Sequence, residues 1–326
     1  MHKSRVISTG YYLPEKILTN KDLERIVDTN DEWITKRTGI KERRIADDKE
    51  ASSDIGFEAA KKALDRSGLK PDQIDIVICA TITSDYITPS TACLVQDRLG
   101  LKNAFAFDIS AACAGFVYAL DIADKYILQD PNKKVLVVAT EKLSTITDWE
   151  DRNTCILFGD GAGAAVLVSD ESGHGIFSSY LRVDGSLSSL LMVPAGGSRK
   201  PVNIGTLHNR EHFLTMKGND VFKHAVNNMS DAVLKSLDLA GFSLSDIDMV
   251  FPHQANIRII KAVRKKLGLA KEQVFINIDK IANTSAATIA ISLAQAEESG
   301  LLKKGHNIVL VSFGAGLTWG AMTLKW

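Results

Sequence analysis

The sequence is short of the features that would mark a membrane, secreted or nucleic-acid-binding protein. Nowhere do eighteen consecutive apolar residues occur, so a spanning helix is not expected. The opening Met1-His2-Lys3-Ser4-Arg5-Val6 runs straight into a strand-like segment, without the apolar core and small-residue cleavage site of a signal peptide. The four cysteines (Cys79, Cys93, Cys113, Cys155) form no CxxC pair and stand near no histidine ladder. Reduced thiols in a cytoplasmic protein are the simplest reading, with neither structural zinc nor any other metal expected. Neither sign of charge is in excess: 39 Lys and Arg meet 39 Asp and Glu, leaving no global field for nucleic acid or an anionic membrane. Proline is scarce and no Pro/Ser-rich tract interrupts the chain, so any two halves must pack closely rather than hang on a tether.

What the chain does have is length for one large domain or two ordinary ones, and an internal repeat. Gly68-Leu69-Lys70-Pro71-Asp72-Gln73-Ile74-Asp75-Ile76-Val77 resembles Gly241-Phe242-Ser243-Leu244-Ser245-Asp246-Ile247-Asp248-Met249-Val250, 173 positions later. Val135-Leu136-Val137-Val138 matches Ile308-Val309-Leu310-Val311 at the same offset. Between these anchors, Ser110-Ala111-Ala112-Cys113-Ala114 faces Ser285-Ala286-Ala287-Thr288-Ile289 after a small slip. Residues 1–172 and 173–326 therefore read as two halves.

Each half runs in one order: an amphipathic helix (53–67 and 222–239), a buried strand (74–80 and 249–252) and a second helix (91–99 and 257–267). A strand (104–109 and 274–278), a small-residue helix (113–129 and 285–299) and a last strand (135–140 and 307–313) follow. Short β-branched runs between helices predict a mostly parallel sheet in each half. Stacked, the halves would make a five-layered α/β/α/β/α body, with Ala111-Ala112 and Ala286-Ala287 in a tight central helix layer.

Three residues have settings suited to chemistry. Cys113 follows the strand over 105–109 among Ala and Gly, where a helix begins. Unpaired N–H groups there favour thiolate, and small neighbours leave backbone donors free for an oxyanion. Position alone suits a small buried apolar cysteine equally well, and Cys79 and Cys155 fit that description better. His253, in Pro252-His253-Gln254-Ala255-Asn256, stands at a strand's carboxyl end, where functional groups collect in α/β sheets, although a structural histidine also fits. Asn283, in Asn283-Thr284-Ser285-Ala286-Ala287, is the repeat's echo of the cysteine turn and is otherwise an ordinary helix N-cap. Ser312-Phe313-Gly314-Ala315-Gly316 is a Gly-rich turn, either a tight hairpin or a source of backbone donors. Phe158-Gly159-Asp160-Gly161-Ala162-Gly163 precedes a strand over 164–168 rather than a helix, which counts against a dinucleotide fingerprint.

Taken in order, Asp108-Ile109-Ser110-Ala111-Ala112-Cys113-Ala114-Gly115-Phe116, Pro252-His253-Gln254-Ala255-Asn256, Asn283-Thr284-Ser285-Ala286-Ala287 and Phe313-Gly314-Ala315-Gly316 resemble the β-ketoacyl-acyl-carrier-protein (ACP) synthase III family, of the thiolase-like fold. The likeness spans the chain, including Thr35-Lys36-Arg37-Thr38-Gly39-Ile40. It implies an initiating condensation in type II fatty-acid biosynthesis, with Cys113 taking an acyl group from acyl-CoA. His253 and Asn283 then hold the malonyl thioester carbonyl while carbon dioxide leaves, and backbone N–H groups of Cys113 and Ala315 form an oxyanion hole. The family often has Gly where this chain has Ala315, a change that a backbone donor tolerates if φ is negative.

The resemblance also implies a CoA channel, with Trp33 and Arg152 sandwiching adenine, Arg37 on phosphates, and Asn219 and Asn256 along the pantetheine arm. Without it, Trp33 and Arg37 read as a core aromatic and a surface charge. Arg258, Lys261 and Lys265 recur at near-helical spacing beside Lys266. That basic face, with Lys223 added by the likeness, suits an acidic carrier protein. Thr88 and Phe313 are expected in the acyl pocket, Thr88 reaching the partner subunit of a homodimer. CoA thioester and malonyl-ACP are substrates, and no cofactor is expected. Rival readings are a ketide synthase of secondary metabolism, a hydroxymethylglutaryl-CoA synthase, a thiol thioesterase and a non-catalytic scaffold. The second of these would want a carboxylate near Cys113, and the neighbouring sequence offers none.

Overall fold

The repeat is written into the backbone register. In a computed structural model describing residues 2–326 (Met1 of the opening string lies outside them), Ile76 pairs in parallel with Val135 and Val77 with Leu136. Met249 pairs with Ile308 and Val250 with Val309 in the same way, each 173 positions later. The first sheet contains β1 (Lys3–Tyr12), β2 (Ile76–Ala80), β3 (Phe105–Ile109), β4 (Val135–Glu141) and β5 (Gly161–Asp170), in the order β1-β5-β4-β2-β3. The second contains β6 (Gly175–Val183), β7 (Met249–Pro252), β8 (Asn307–Gly314) and β9 (Thr318–Lys325), in the order β7-β8-β9-β6.

Most strands of each sheet run in one direction, as expected, with one reversed strand in each. β5 runs against the other four in the first, antiparallel to both β1 and β4, and β9 runs against the other three in the second, antiparallel to both β8 and β6. The antiparallel members return without a crossover helix, as β9 does from β8 through the turn at 315–317. The expected strand over 274–278 is reduced to one bridge from Val274 to Val250. Beyond it the Gln254 side chain takes the strand's place, donating to Phe275 O and accepting from Asn277 N. The chain then turns into a short helix, Ile278–Ile281.

Alternation along the strands makes the layers. Ile76, Ile78 and Ala80 point into a central core with Ile308 and Leu310, while Val77 and Cys79 face an outer core on the other side. Val309, Val311 and Phe313 face the second outer core. Between the sheets lie α1 (Gly115–Gln129) and α2 (Ala287–Glu298), whose Ala-rich faces permit close approach. Outside them lie, among others, Ser52–Ser67 on the first sheet and Gly218–Ala240 on the second. The result is the five-layered α/β/α/β/α arrangement. No helix among the described residues is long and apolar enough to cross a membrane.

Candidate active site

The two central helices begin at the seam between the sheets, and both enter through a left-handed residue. Ala112 has φ 45° and Ser285 has φ 48°, again 173 positions apart, so the turns align without the slip expected from the sequence. Cys113 therefore corresponds to Ala286. An alanine or serine in this region costs about 1–2 kcal/mol, a strain that functional turns commonly carry.

Cys113 occupies the 3-10 turn Ala112–Ala114 just before α1. Its carbonyl accepts from the Ser312 hydroxyl, and Thr318 Oγ1 donates to the carbonyls of Ala111 and Ala315. Gly314 packs on the backbone of the cysteine: a Cβ there would stand 2.6 Å from Cys113 N and 2.9 Å from its Cβ. Ala315 is outside the left-handed region, so its N–H meets the condition for replacing a glycine donor. Two influences oppose each other at the thiol. Burial pushes it up to about 12, while the Ser285 hydroxyl and the start of α1 favour the anion. Burial wins, so the resting group is a thiol rather than the thiolate expected from its helix position.

His253 directly follows β7 and is 2% exposed. Burial alone lowers it to about 3, so the imidazole is neutral at physiological pH. Its Nδ1 lies 2.6 Å from Thr288 Oγ1, and that hydroxyl is also 3.1 Å from Ser285 O. Thr288 Oγ1 has one proton for these two neighbours: on Nδ1 it leaves Nε2–H as the free donor, and on Ser285 O it leaves a bare Nε2. Asn283 is held by backbone bonds to Leu157 and Gly159, and its Oδ1 accepts from Ser285 N at 2.9 Å. Only the Nδ2 end of the amide is then left to donate elsewhere.

Cys113, His253, Asn283, Ser285, Phe313 and Ala315 line one cavity of about 410 Å³, which opens past Arg37, Asn219 and Asn256. The structure thus brings together the expected nucleophile, its two polar partners and three of the five expected CoA residues. Asn256 also caps the helix Ile257–Leu267 through Arg258 N. Trp33 and Arg152 do meet, with the guanidinium 4.6 Å from the ring centre, and Arg152 also pairs with Asp28. The two groups expected to sandwich a base are here in direct contact with each other. Thr88 lies on an exposed segment beside Tyr86 and Ile87, outside the chain's own cavity and free to face another molecule. Lys223, Arg258, Lys261, Lys265 and Lys266 are all exposed on two packed helices, Lys266 reaching Asn227 on the neighbouring one. Cys79 and Cys155 are core residues.

One group went unnoticed in the sequence. Glu141, at the carboxyl end of β4, is fully buried within electrostatic reach of Cys113. One carboxylate oxygen accepts from Thr81 Oγ1, Ile82 N and Thr83 Oγ1, while Oε1 has no partner. Burial pushes this carboxyl up to about 7, and the nearby Ser285 hydroxyl pulls it down. The absence of a carboxylate beside Cys113 holds along the sequence but not in space. The signal was an acidic residue closing a largely apolar strand, 173 positions before the glycine that touches Cys113.

A cysteine, a neutral histidine and an oriented amide meeting at the seam of two stacked halves define a condensing enzyme of the thiolase-like class. Sequence profiles of 3-oxoacyl-[acyl-carrier-protein] synthase III match residues 107–185, and those of its C-terminal part match residues 237–326. A β-ketoacyl-[acyl-carrier-protein] synthase III of Caldanaerobacter subterraneus is 54% identical over 98% of this chain and 97% of its own. The crystal structure of 3-oxoacyl-[acyl-carrier-protein] synthase III from Aquifex aeolicus is 48% identical, with TM-score 0.92 over 99% of this chain and 100% of that one. The priming β-ketosynthase of the R1128 polyketide pathway also superposes at TM-score 0.92, with 35% identity over 99% of this chain and 96% of that one. The chain belongs to the β-ketoacyl-ACP synthase III family, the acyltransferases of the initiating condensation in fatty-acid biosynthesis.

Proposed function

We propose that Cys113 carries the acyl group between the two half-reactions, taking it from a short acyl-CoA and delivering it to the malonyl-ACP carbanion. Loss of carbon dioxide generates that carbanion without a strong base, provided the enolate oxygen meets neutral donors. With the Thr288 hydroxyl proton on Nδ1, His253 Nε2–H and Asn283 Nδ2 are such donors, and the observation that carries the reading is that both residues face the Cys113 cavity, one kept neutral by burial. Backbone N–H groups of Cys113 and Ala315 receive the oxyanion formed when the carbanion attacks the thioester. Products are β-ketoacyl-ACP, CoA and carbon dioxide, and no cofactor takes part.

CoA lies with its phosphates toward Arg37, its pantetheine along Asn219 and Asn256, and its adenine between Trp33 and Arg152. The carrier protein docks on Lys223, Arg258, Lys261, Lys265 and Lys266. The enzyme works as a cytoplasmic homodimer, whose partner subunit receives Thr88 at its acyl pocket beside Phe313. Because Thr88 is smaller than an aromatic residue, branched and longer primers are accepted.

The test is a condensation assay with malonyl-ACP and a panel of acyl-CoA primers, using wild type and Cys113→Ala. β-Ketoacyl-ACP that disappears in the variant supports the reading. Hydrolysis without condensation would make the protein a thioesterase, and a large kcat/KM preference for acetyl-CoA over every larger primer would overturn the role of Thr88.

A further inference from the structure

The resting Cys113 is a buried thiol, so its proton must go somewhere when the acyl group arrives. Its neighbour His253 is a poor acceptor, since burial holds it neutral and its Nδ1 is engaged by Thr288. Within reach of the cysteine are two residues that each carry an unpartnered polar atom. Ser285 Oγ and Glu141 Oε1 are both buried and without a hydrogen-bond partner, although their residues are 1% and 0% exposed. Such atoms are rare in folded proteins and costly to leave bare. Ser285 lines the Cys113 cavity, and its hydroxyl lies near enough to favour both the Cys113 and the Glu141 anions while making a full hydrogen bond to neither.

The arrangement is anchored from both ends. Three donors, from Thr81, Ile82 and Thr83, hold Glu141 Oε2 and leave Oε1 free. The left-handed backbone at Ser285 and the bond from its N–H to Asn283 Oδ1 fix the residue that carries the hydroxyl. The repeat gives the same proximity independently. Gly314, the counterpart of Glu141, touches Cys113, and Cys113 is the counterpart of Ala286, beside Ser285.

We propose that Glu141, working through the Ser285 hydroxyl, receives the Cys113 thiol proton as the acyl group leaves CoA. This rests on the nucleophilic role of Cys113 given above. The Cys113 S–H bond breaks as its sulfur attacks the thioester carbon. That proton passes to Ser285 Oγ while the serine's own proton passes to Glu141 Oε1. When the tetrahedral intermediate collapses, the carbonyl carbon–sulfur bond to CoA breaks, and the departing thiolate takes the proton back along the same path. The net change is Cys–SH and acyl-CoA to acyl-Cys and CoA–SH, with Glu141 ionised again. Ser285 meets the reacting sulfur, and Glu141 acts at one remove.

The other ionisable groups around the pair are His253 across the cavity and Cys79 on β2, whose thiol burial raises well above the ordinary range. Asp85 and Asp108 lie beyond Cys79, bound to Ser53 and to Thr91 and Ala92 respectively. Lys142, next in sequence, turns away to the carbonyls of Asp47 and Glu50.

The experiment is rapid-quench mass spectrometry of acyl-Cys113 formation from acetyl-CoA or a longer primer between pH 5.5 and 9, in wild type, Glu141→Gln and Ser285→Ala. Condensation of pre-acylated enzyme with malonyl-ACP is measured alongside. Wild-type acylation should fall as pH drops through about 7. Both variants should lose that limb and acylate roughly 100-fold more slowly at pH 8, in the range of general-base effects. Condensation should fall far less, so the ratio of the two rates shifts. The proposal is overturned if Glu141→Gln keeps the wild-type pH limb, or if both half-reactions fall in proportion. Should Glu141→Gln not fold, an unchanged limb in Ser285→Ala overturns it alone. A wild type that never acylates at Cys113 would instead overturn the nucleophile assignment.

Discussion

Replacing Thr288 by Val tests how the neutral histidine is kept in its working tautomer. Valine keeps the shape but removes the hydroxyl 2.6 Å from His253 Nδ1. Ser285 O keeps its bond from the Thr288 backbone N–H, so the principal loss falls on the imidazole. A buried hydrogen bond contributes about 1–1.5 kcal/mol, and if that energy separates the Nε2–H form from its tautomer, the working form loses about tenfold in population preference. The expected result is a roughly tenfold slower condensation of preformed acyl-enzyme with malonyl-ACP, below the 100-fold or more typical of deleting an oxyanion donor outright. Acylation of Cys113 should change little, and Thr288→Ser should restore the rate. Nitrogen NMR of labelled His253 reads the tautomer directly, with Nε2 protonated in wild type and a mixture in the valine variant. An unchanged condensation rate with an unchanged tautomer signal would refute the reasoning, as would a wild-type spectrum showing Nδ1–H.

Three other perturbations give distinct outcomes. Gly314→Ala places a methyl 2.6 Å from Cys113 N, and relief by backbone movement should cost about 1–3 kcal/mol in unfolding free energy and sharply reduce acylation; an acylation rate within twofold of wild type would count against the close packing. Glu141 is raised from 4.5 to about 7 on folding, so the folded state holds its proton longer than the unfolded chain, and the stability this contributes is present below pH 4.5 and lost as pH rises to about 7. Glu141→Gln should therefore gain about 3 kcal/mol on wild type between pH 4.5 and 8 in paired denaturant titrations, a sign that no difference between the two pH values would contradict. Lys261→Glu with Lys265→Glu should raise KM for malonyl-ACP about tenfold at low salt and leave KM for acyl-CoA alone, with the gap narrowing in salt; equal effects on both substrates would remove the docking role.

The repeat and the three polar site residues were legible because they rest on local pattern. Two anchors at one offset identified the halves, and Cys113, His253 and Asn283 each stood at a strand end or helix start. The reversed strand in each sheet was less visible because strand direction depends on the connection, and β5 and β9 carry the same small and apolar residues a parallel strand would. The missing strand after Val274 was decided by one distant side chain, Gln254, which competes for the backbone groups that a strand would offer. The roles expected of Thr88 and of the Trp33–Arg152 pair concern molecules outside the chain, whose own packing leaves one exposed and the other closed. The cysteine's ionisation was misjudged for a simpler reason: helix position is readable in sequence, but depth of burial is not.

A duplicated fold supplies two equivalent seams between its central helices, yet one carries the cavity, and the paired residues explain why. On the working side stand Cys113, His253, Thr288 and Gly314; their counterparts are Ala286, Ala80, Gly115 and Glu141. The counterpart of the Thr288–His253 hydrogen bond is a bare contact, in which a Cβ on Gly115 would lie 3.0 Å from that of Ala80 and 3.3 Å from that of Ala286. No substrate carbonyl can enter there. The asymmetry works in both directions, because Gly314 leaves the cysteine room on its side while Glu141 brings a carboxylate to the other side of the same seam. Symmetry placed two turns face to face, and the departures from it divided the work: one turn holds the nucleophile, the other holds Asn283 and the hydroxyl of Ser285, and the filled seam becomes the support against which both are fixed.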